Sequence, residues 1–540
     1  MKKIFLTLSV VCIFLAGCAG GGAFVELPAE GEEIREASEL YSGLHSDESH
    51  SDSAYLNEVH SAHPNGGSAH PGGESDVPQN AIAISASFMH NLAITADGAL
   101  WAWGAADDWT WLMSVGDGTS ENRREPVKIM EDVARAAAGP HHSFAIAADG
   151  GLYTWGGNSW GNVGDGTTEP RLSPVRVLDD VVYAVMPFGV PCSHVGYVGA
   201  RTYAIRADGS LWAWGSGEGE AWLVALGDGS GENQLLPVEI LQNVSAVVPT
   251  QTGGFAITDD NTLYHWHGQS WIFNSETGES VEIPARLSPE PIMQNIAKVS
   301  RCGNFVITTA GELMTPEGER IMYNVSYALR AGRANFAITT DGALYAWGQN
   351  RLPDHWRPGP TLGDGTTIDR EMPVRIMDNA VSMIAVGNTA YVIDGGGTLW
   401  GWGNFGAAWG GEIALGDGSE FSGSHTDLWE DGVLEFAYEY RDGYRFESGL
   451  RWNLPDDGGT GIRLSPVRIM ENVAQVDATY VMFDHGWIRS FRAFAVTNDG
   501  ELWAWGANDD FDRGFGLLGD GTSERRVSPV KIIASCMGGE

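Results

Sequence analysis

The chain has 540 residues, with 32 Lys and Arg against 70 Asp and Glu for a formal net charge of −38, and it is 43% hydrophobic with 72 Gly and 21 Trp. Gly and Trp well above ordinary usage argue for many tight turns between short aromatic strands and against a helical bundle. A chain this acidic repels a phosphate backbone, and no Lys/Arg-rich run gathers its cations on one face, so nucleic acid is a poor partner.

Residues 1–17 read as a signal peptide: Lys2 and Lys3, an apolar stretch from Ile4 to Leu15, then small residues. The apolar stretch is too short to span a bilayer comfortably. Leu15-Ala16-Gly17-Cys18 resembles the lipobox of bacterial lipoproteins. The resemblance implies that the Cys18 thiol is acylated and that cleavage leaves it as the new N-terminus, with more than one acyl chain for stable anchoring. The expected location is the bacterial cell envelope, with the folded domain on the outer side of a membrane. Lipid would be the only membrane attachment, because no later segment approaches 18 uninterrupted apolar residues. Cys192, Cys302 and Cys536 are too few for a disulfide scaffold, and no zinc-site spacing occurs.

Residues 18–80 are rich in Ser, Gly, His and Glu and carry no hydrophobic periodicity. The composition predicts a disordered tether, which the lipobox resemblance implies is lipid-anchored at Cys18. As a flexible coil of about 60 residues it would reach roughly 40 Å. His45, His50, His60, His63 and His70 are irregularly spaced, with no second ligand type fixed beside them. They read as part of a solvated spacer, and neither a metal nor a cofactor is expected.

From residue 81 to 534 one pattern recurs: an apolar run ending in an Asp-Gly turn, an aromatic strand ending in Trp-Gly, a Gly-Asp-Gly-Thr/Ser loop, then Pro-Val with apolar alternation. HHSFAIAADGGLYTWG followed by VGDGTTEPRLSPVRVLDDV shows it whole. The glycines of the Trp-Gly element, Gly104, Gly156, Gly215, Gly268, Gly348, Gly403 and Gly506, give a period of about 50 residues. Two alternating strands joined by Asp149-Gly150 form a hairpin, and Pro174 enters the last strand near its start. Such a unit cannot bury both faces alone, so neighbours must stack on it. The fold class is all-β, a β-propeller of four-stranded blades. Residues 535–540 form a C-terminal tail.

These residues resemble the regulator of chromosome condensation repeat family in its bacterial form. Six copies of the loop carry the resemblance, Gly116 to Thr119, Gly164 to Thr167, Gly227 to Ser230, Gly363 to Thr366, Gly416 to Ser419 and Gly519 to Thr522. The family implies seven blades, whereas eight units begin near Ala81, Ala134, Val182, Ser245, Ala297, Ser326, Val381 and Ala474. The fifth, AKVSRCGNFVITTAGELMTPEGERIMYNV, lacks both motifs, so it is either an eighth blade or off the ring. Family members are mostly interaction scaffolds. Nucleotide exchange on a small GTPase and chromatin binding, the roles of the eukaryotic namesake, fit poorly with export and with this charge.

Asp117, Asp165, Asp228, Asp364, Asp417 and Asp520 invite comparison with calcium ligands or catalytic carboxylates. A residue repeated in every blade solves the same backbone problem in each, however, so a loop hydrogen-bonding role is expected. Trp103, Trp155, Trp214, Trp347, Trp402 and Trp505 hold a fixed place in a strand, which predicts blade-to-blade packing. His141-His142 has no ligand partner at useful spacing, and Asp509-Asp510-Phe511-Asp512 lacks the glycine and terminal glutamate of a calcium loop. No nucleophile elbow, zinc-protease, P-loop or dinucleotide motif occurs, so no catalytic residue is assigned.

The breaks in the repeat carry more information. An insertion at about 420–462 reads as a hairpin, with Phe436, Tyr438 and Tyr440 leading into Asp442-Gly443 and Tyr444 and Phe446 leading out. Trp429, Phe436, Tyr438, Tyr440, Tyr444, Phe446 and Trp452 are candidate binding residues, because long insertions on a repeat scaffold tend to carry recognition. His267 to Arg286 is a smaller insertion with Trp271 and Phe273. The expected function is a protein-interaction scaffold for an extracellular or envelope protein. A glycan-binding module is the alternative, and a propeller hydrolase or lyase is a more distant one.

Overall fold

A computed structural model describes residues 51–52, 78–87, 89–106, 115–187, 200–217, 224–274, 279–332, 334–350, 362–386, 389–404, 414–418, 434–441, 444–452, 462–483, 487–508 and 515–534. In the first repeat the alternating runs form strands Ala81–Ala86, His90–Thr95, Leu100–Gly104 and Arg123–Met130, each hydrogen bonded to the next. The same antiparallel order recurs over residues 133–178, 181–241, 244–293, 296–322, 325–377, 380–470 and 473–533. The ring therefore has eight four-stranded blades, and the seven implied by family precedent do not hold. The described residues contain no α-helix, only a 3₁₀ turn at Arg301–Gly303.

The fifth unit is a blade, with short strands Ile296–Val299, Val306–Thr308, Leu313–Met314 and Arg320–Met322. Its apolar residues still face both neighbours. Ile296, Val299 and Val306 pack against Phe255, Ile257 and Leu263 of blade 4, while Phe305, Ile307 and Leu313 pack against Val325, Ala328 and Trp347 of blade 6. What the unit lost is the decorated third-to-fourth connection. The wedge of apolar side chains that a ring position requires is still there.

The core is a circle of eight such interfaces, each formed by the facing sheets of successive blades. In each blade the first strand lies at the axial edge. The fourth lies outermost, with only intermediate or exposed positions in Arg123–Met130, Arg171–Leu178 and Gln234–Leu241.

Each blade is entered through an Asn or Asp in the left-handed region. Asn80, Asp132, Asp180, Asn243, Asn295, Asn324, Asn379 and Asn472 have φ between 55° and 63°. This conformation is one that Asn and Asp tolerate better than other side chains do. It lets the next residue donate its N–H to the turn of the preceding blade, as in Val133 to Gly98 O and Val181 to Gly150 O, both 2.8 Å. At the closure Ala81 N–H makes the same bond to Gly500 O of blade 8, at 2.9 Å. Among the described residues blades 8 and 1 share no strand, only an isolated parallel bridge of Gln79 with Ala534. They close by this bond, by Ile84, Ala93 and Trp103 packing on Phe494, Val496 and Leu502, and by Ala86 N–H donating to the Asp477 carboxylate at 2.8 Å.

Candidate binding face

Strand direction alternates within a blade, so the first-to-second and third-to-fourth connections emerge on one face of the ring. The second-to-third turns and the junctions between blades emerge on the other. The junction face is uniform, bearing short turns and the repeated junction bond, with clefts of about 320 Å³ between blades 3 and 4 and about 390 Å³ between blades 2 and 3.

Every interruption of the repeat among the described residues leaves from the opposite, loop face. Strands Ser270–Asn274 and Glu279–Ile283 form a hairpin within the third-to-fourth connection of blade 4, and Leu434–Arg441 and Tyr444–Trp452 form one within that of blade 7. In blade 8 the first and second strands, Val473–Phe483 and Trp487–Thr497, run to 11 residues each, pairing as far as Phe483 opposite Trp487.

The blade 7 hairpin follows the pairing expected from sequence. Its register sets Phe436 opposite Leu450, Tyr438 opposite Glu447 and Tyr440 opposite Arg445, with a bulge after Ala437. Phe446 is paired with Glu439 and Tyr444 with Arg441. Positions 436, 438 and 440 therefore share one face of the ribbon, and positions 444 and 446 fall on the other. Trp452, opposite Leu434, belongs with the first group. Trp429 and the Asp442-Gly443 turn lie outside the described residues, as do Cys18 and Asp509 to Asp512.

The six repeated aspartates form a common device at the loop face. Asp520 accepts from the Thr522 N–H at 3.1 Å and hydroxyl at 2.8 Å, from Asn508 at 2.8 Å, and from Arg526 Nε at 2.6 Å. Asp117, Asp165 and Asp364 repeat the Thr and Arg contacts through Arg123, Arg171 and Arg370. Asp417 takes Arg463, and Asp228 takes Gln234 at 2.6 Å in place of an arginine. These bonds hold the Asp165, Asp364 and Asp520 carboxyls below the usual range despite partial burial. Each carboxylate is thereby committed to its own loop and to the start of its blade's fourth strand.

The tryptophans lie between blades. A Cβ on Gly164 would stand 2.5 Å from Trp214 Nε1, one on Gly116 2.7 Å from that of Trp155, and one on Gly519 2.8 Å from that of Trp103. Trp402 and Trp505 press on Gly363 and Gly416 in the same way. The first glycine of each loop is thus required twice, by its positive φ and by the indole of the next blade. Trp347 faces blade 5, which has no such loop; its ring lies tilted against Phe305 with the centroids 5.7 Å apart, and it is 8% exposed where the other five are fully buried. Trp266, outside the expected set because a histidine follows it, fills the same position over Gly227.

Sequence reasoning missed the floor of the loop face. The residue opposite the Trp-Gly glycine opens the second strand in blades 1, 2 and 3 and lies inside the lengthened one of blade 8; in blades 8, 1, 2 and 3 it is Arg492, His90, His142 and Arg201, each at most 1% exposed. Each reaches the next blade: His90 Nε2 pairs with Ser143 Oγ at 2.6 Å, and His142 Nε2 with Thr202 Oγ1 at 2.7 Å. Arg201 donates to the carbonyls of Thr250 and Gln251, and Arg492 to that of Ser87. The signal was a variable column in an otherwise constant motif, as comparison of HNLAIT, HSFAIA, RTYAIR and GGFAIT shows.

Burial lowers His90 and His141 to about 4 and His142 to about 3, so these rings are neutral at ordinary pH. His90 beside Ser143 has the outline of a nucleophile and base. Its Nδ1 has no partner among the described residues, the hydroxyl is 1% exposed, and His142 with Thr202 repeats the pair one blade on. A catalytic pair needs an oriented base and an accessible nucleophile, so these pairs act as stitches between blades. Among the described residues no three His, Cys, Asp or Glu side chains cluster so as to hold a metal ion, and no helix is long and apolar enough to cross a membrane.

The sequence model of the Regulator of chromosome condensation (RCC1) repeat matches residues 149–186. The chain is 27% identical over 342 residues to the mitochondrial RCC1 domain-containing protein RUG3 of Arabidopsis thaliana, a match covering 61% of this chain and 67% of that one. It is 23% identical over 348 residues to the Ultraviolet-B receptor UVR8 of the same plant, with the same coverage. A 303-residue match at 30% identity to the human E3 ubiquitin-protein ligase HERC2 covers 55% of this chain and 5% of the ligase. Yeast RCC1 (Prp20) in its crystal structure with Kap60 aligns over 87% of this chain and 90% of that one, at 15% identity and a TM-score of 0.45.

Proposed function

The chain is an RCC1-type repeat β-propeller, and from that premise we propose that it is an interaction scaffold whose loop face binds a protein partner outside the membrane. Propellers of this type are typically interaction or regulatory scaffolds. The observation that carries the reading is the one-sidedness of the molecule: both hairpins and the lengthened strands of blade 8 leave the loop face, while the junction face keeps its repeat. Variation restricted to one face of a rigid scaffold is the pattern that recognition produces.

The scaffold is anchored through acylated Cys18 and held off the bilayer by the tether, in the envelope of a bacterial cell. Incorporation of labelled fatty acid that disappears in Cys18→Ser supports the anchor; unchanged labelling refutes it. To test the face, residues 420–461 are replaced by a short Gly-Ser linker, leaving the Asp417–Arg463 pair in place. A partner recovered from envelope extracts by the native chain and lost by this variant, with the ring's thermal transition unchanged, supports the proposal. Equal recovery places recognition elsewhere. The aromatic residues of the hairpin favour glycan as a second reading, and quenching of Trp and Tyr fluorescence by cell-wall polysaccharides decides it.

A further inference from the structure

The ring encloses an axial channel bordered by the first strands of the eight blades. In blade 7 that strand, Ala380–Val386, is bonded on one side to Thr389–Asp394. On its other, axial side it pairs antiparallel with Ser51 and Asp52, Ser51 opposite Val386 and Asp52 opposite Ala385. The added pair also runs beside the first strand of blade 8. Among the described residues this blade alone has a fifth strand, and it comes from the segment that composition assigns to a structureless tether.

The charged residues that the first strands carry are opposite in sign to the chain as a whole. The described first strands and the 3₁₀ turn that follows the one in blade 5 carry Arg135, Lys298, Arg301 and Arg330, against a single carboxylate, Asp477. Asp477 is 1% exposed and accepts the Ala86 and Ala478 N–H groups. Burial pushes the Tyr183 hydroxyl of blade 3 up, and the guanidinium groups of Arg135 in blade 2 and Arg301 in blade 5 oppose that shift. Residues 45–58 carry Asp47, Glu48, Asp52 and Glu58 and no Lys or Arg.

We propose that the axial channel is a docking site for an extended acidic peptide, and that its occupant is the chain's own segment 45–58, added as a strand to the inner edge of blade 7. Main-chain hydrogen bonds supply the attachment and are indifferent to sequence, while complementary charge selects this stretch. The linker from Asp52 to the ring at Gln79 has a root-mean-square span of roughly 28 Å, so docking is intramolecular at an effective concentration of about millimolar order. An acidic peptide from a partner would have to displace this segment. The inference stands whether or not the loop face binds a protein, since it concerns the channel alone.

The test is hydrogen exchange on the full chain, read by mass spectrometry, with ring peptides as the internal control of folding. Amides of the 45–58 segment should exchange at least about tenfold more slowly than the unstructured rate, and faster again at about 0.5 M salt. Asp47→Asn, Glu48→Gln, Asp52→Asn and Glu58→Gln together should restore the unstructured rate while ring peptides stay protected. Arg135→Gln with Lys298→Gln should do the same from the other side. Independently, Ser51→Cys with Val386→Cys should form a disulfide under mild oxidation, and Ser51→Cys with Val248→Cys of blade 4 should not, because only the first pair stands opposed. Exchange of 45–58 at the unstructured rate in the native chain overturns the docking. Slow exchange that survives both charge-removing sets overturns the electrostatic selection.

Discussion

Substituting alanine for glycine at Gly164 and at Gly318 separates the cost of backbone strain from the cost of disturbing a blade interface. Both glycines have positive φ, +82° and +94°. Forcing a side chain into that region costs about 1–2 kcal/mol at either position. At Gly318 a new Cβ meets nothing within 4 Å, whereas at Gly164 it stands 2.5, 2.7 and 3.0 Å from Nε1, Cδ1 and Cε2 of Trp214. That indole cannot swing aside. It is fully buried between blades 2 and 3, among Phe144, Ile146 and Ala204, with Nε1 donating to Asn162 O at 3.1 Å. Overpacking of this kind adds about 1–3 kcal/mol, so Gly164→Ala should cost about 2–5 kcal/mol and Gly318→Ala about 1–2 kcal/mol. The difference is read from guanidinium midpoints followed by Trp fluorescence. Trp214→Phe in the Gly164→Ala background should recover part of the loss relative to additivity, because the two sites touch. Equal destabilisation by the two alanines, or strict additivity in the double variant, would refute the assignment of the loop glycine to the indole of the next blade.

Acid should loosen the ring in two stages. His90, His141 and His142 are held at about 4, 4 and 3, below the ordinary 6.5, so the unfolded chain binds more protons than the folded one between those values and stability falls as pH drops through that window. At pH 5 the loss is about 2 kcal/mol for each histidine, and His142→Gln should flatten the slope between pH 7 and 5 in denaturant titrations. The depressed carboxyls of Asp165, Asp364 and Asp520 act later, their contribution lost as pH falls below the ordinary carboxylate value. Asp520→Ala removes four hydrogen-bond partners from a group 4% exposed and should cost about 2–4 kcal/mol by calorimetry. At the blade 5–6 junction, Asn324→Gly should be nearly neutral and Asn324→Ala should cost about 1 kcal/mol, since φ is 58° there.

The repeat made the propeller legible because each blade must solve the same problems with local means: an Asp-Gly turn, a Trp at the interface, an Asp that closes its own loop. The number of blades was harder to read, since the fifth unit lost the two most visible motifs. The residue before each first strand would have settled it, for Asn295 and Asn324 bracket that unit as Asn243 and Asn379 bracket its neighbours. That signal is weak in sequence because Asn and Asp are common in turns of every kind. The floor of the loop face was not legible either. His90 and Ser143 are 53 residues apart, and Asn91 and the Leu517 carbonyl it donates to are 426 apart across the ring closure, and neither contact has a local pattern.

The sequence by itself determined the strands, the turns, the character of each blade and where the repeat is interrupted, because period and turn chemistry act over a few residues. Only the tertiary structure decided that eight blades close without a shared strand, that the described interruptions leave from one face, and that Ser51 and Asp52 pair with the axial edge of blade 7. Those properties come from closing the ring, which brings residues hundreds of positions apart into contact by angle and stacking, and no local pattern encodes them.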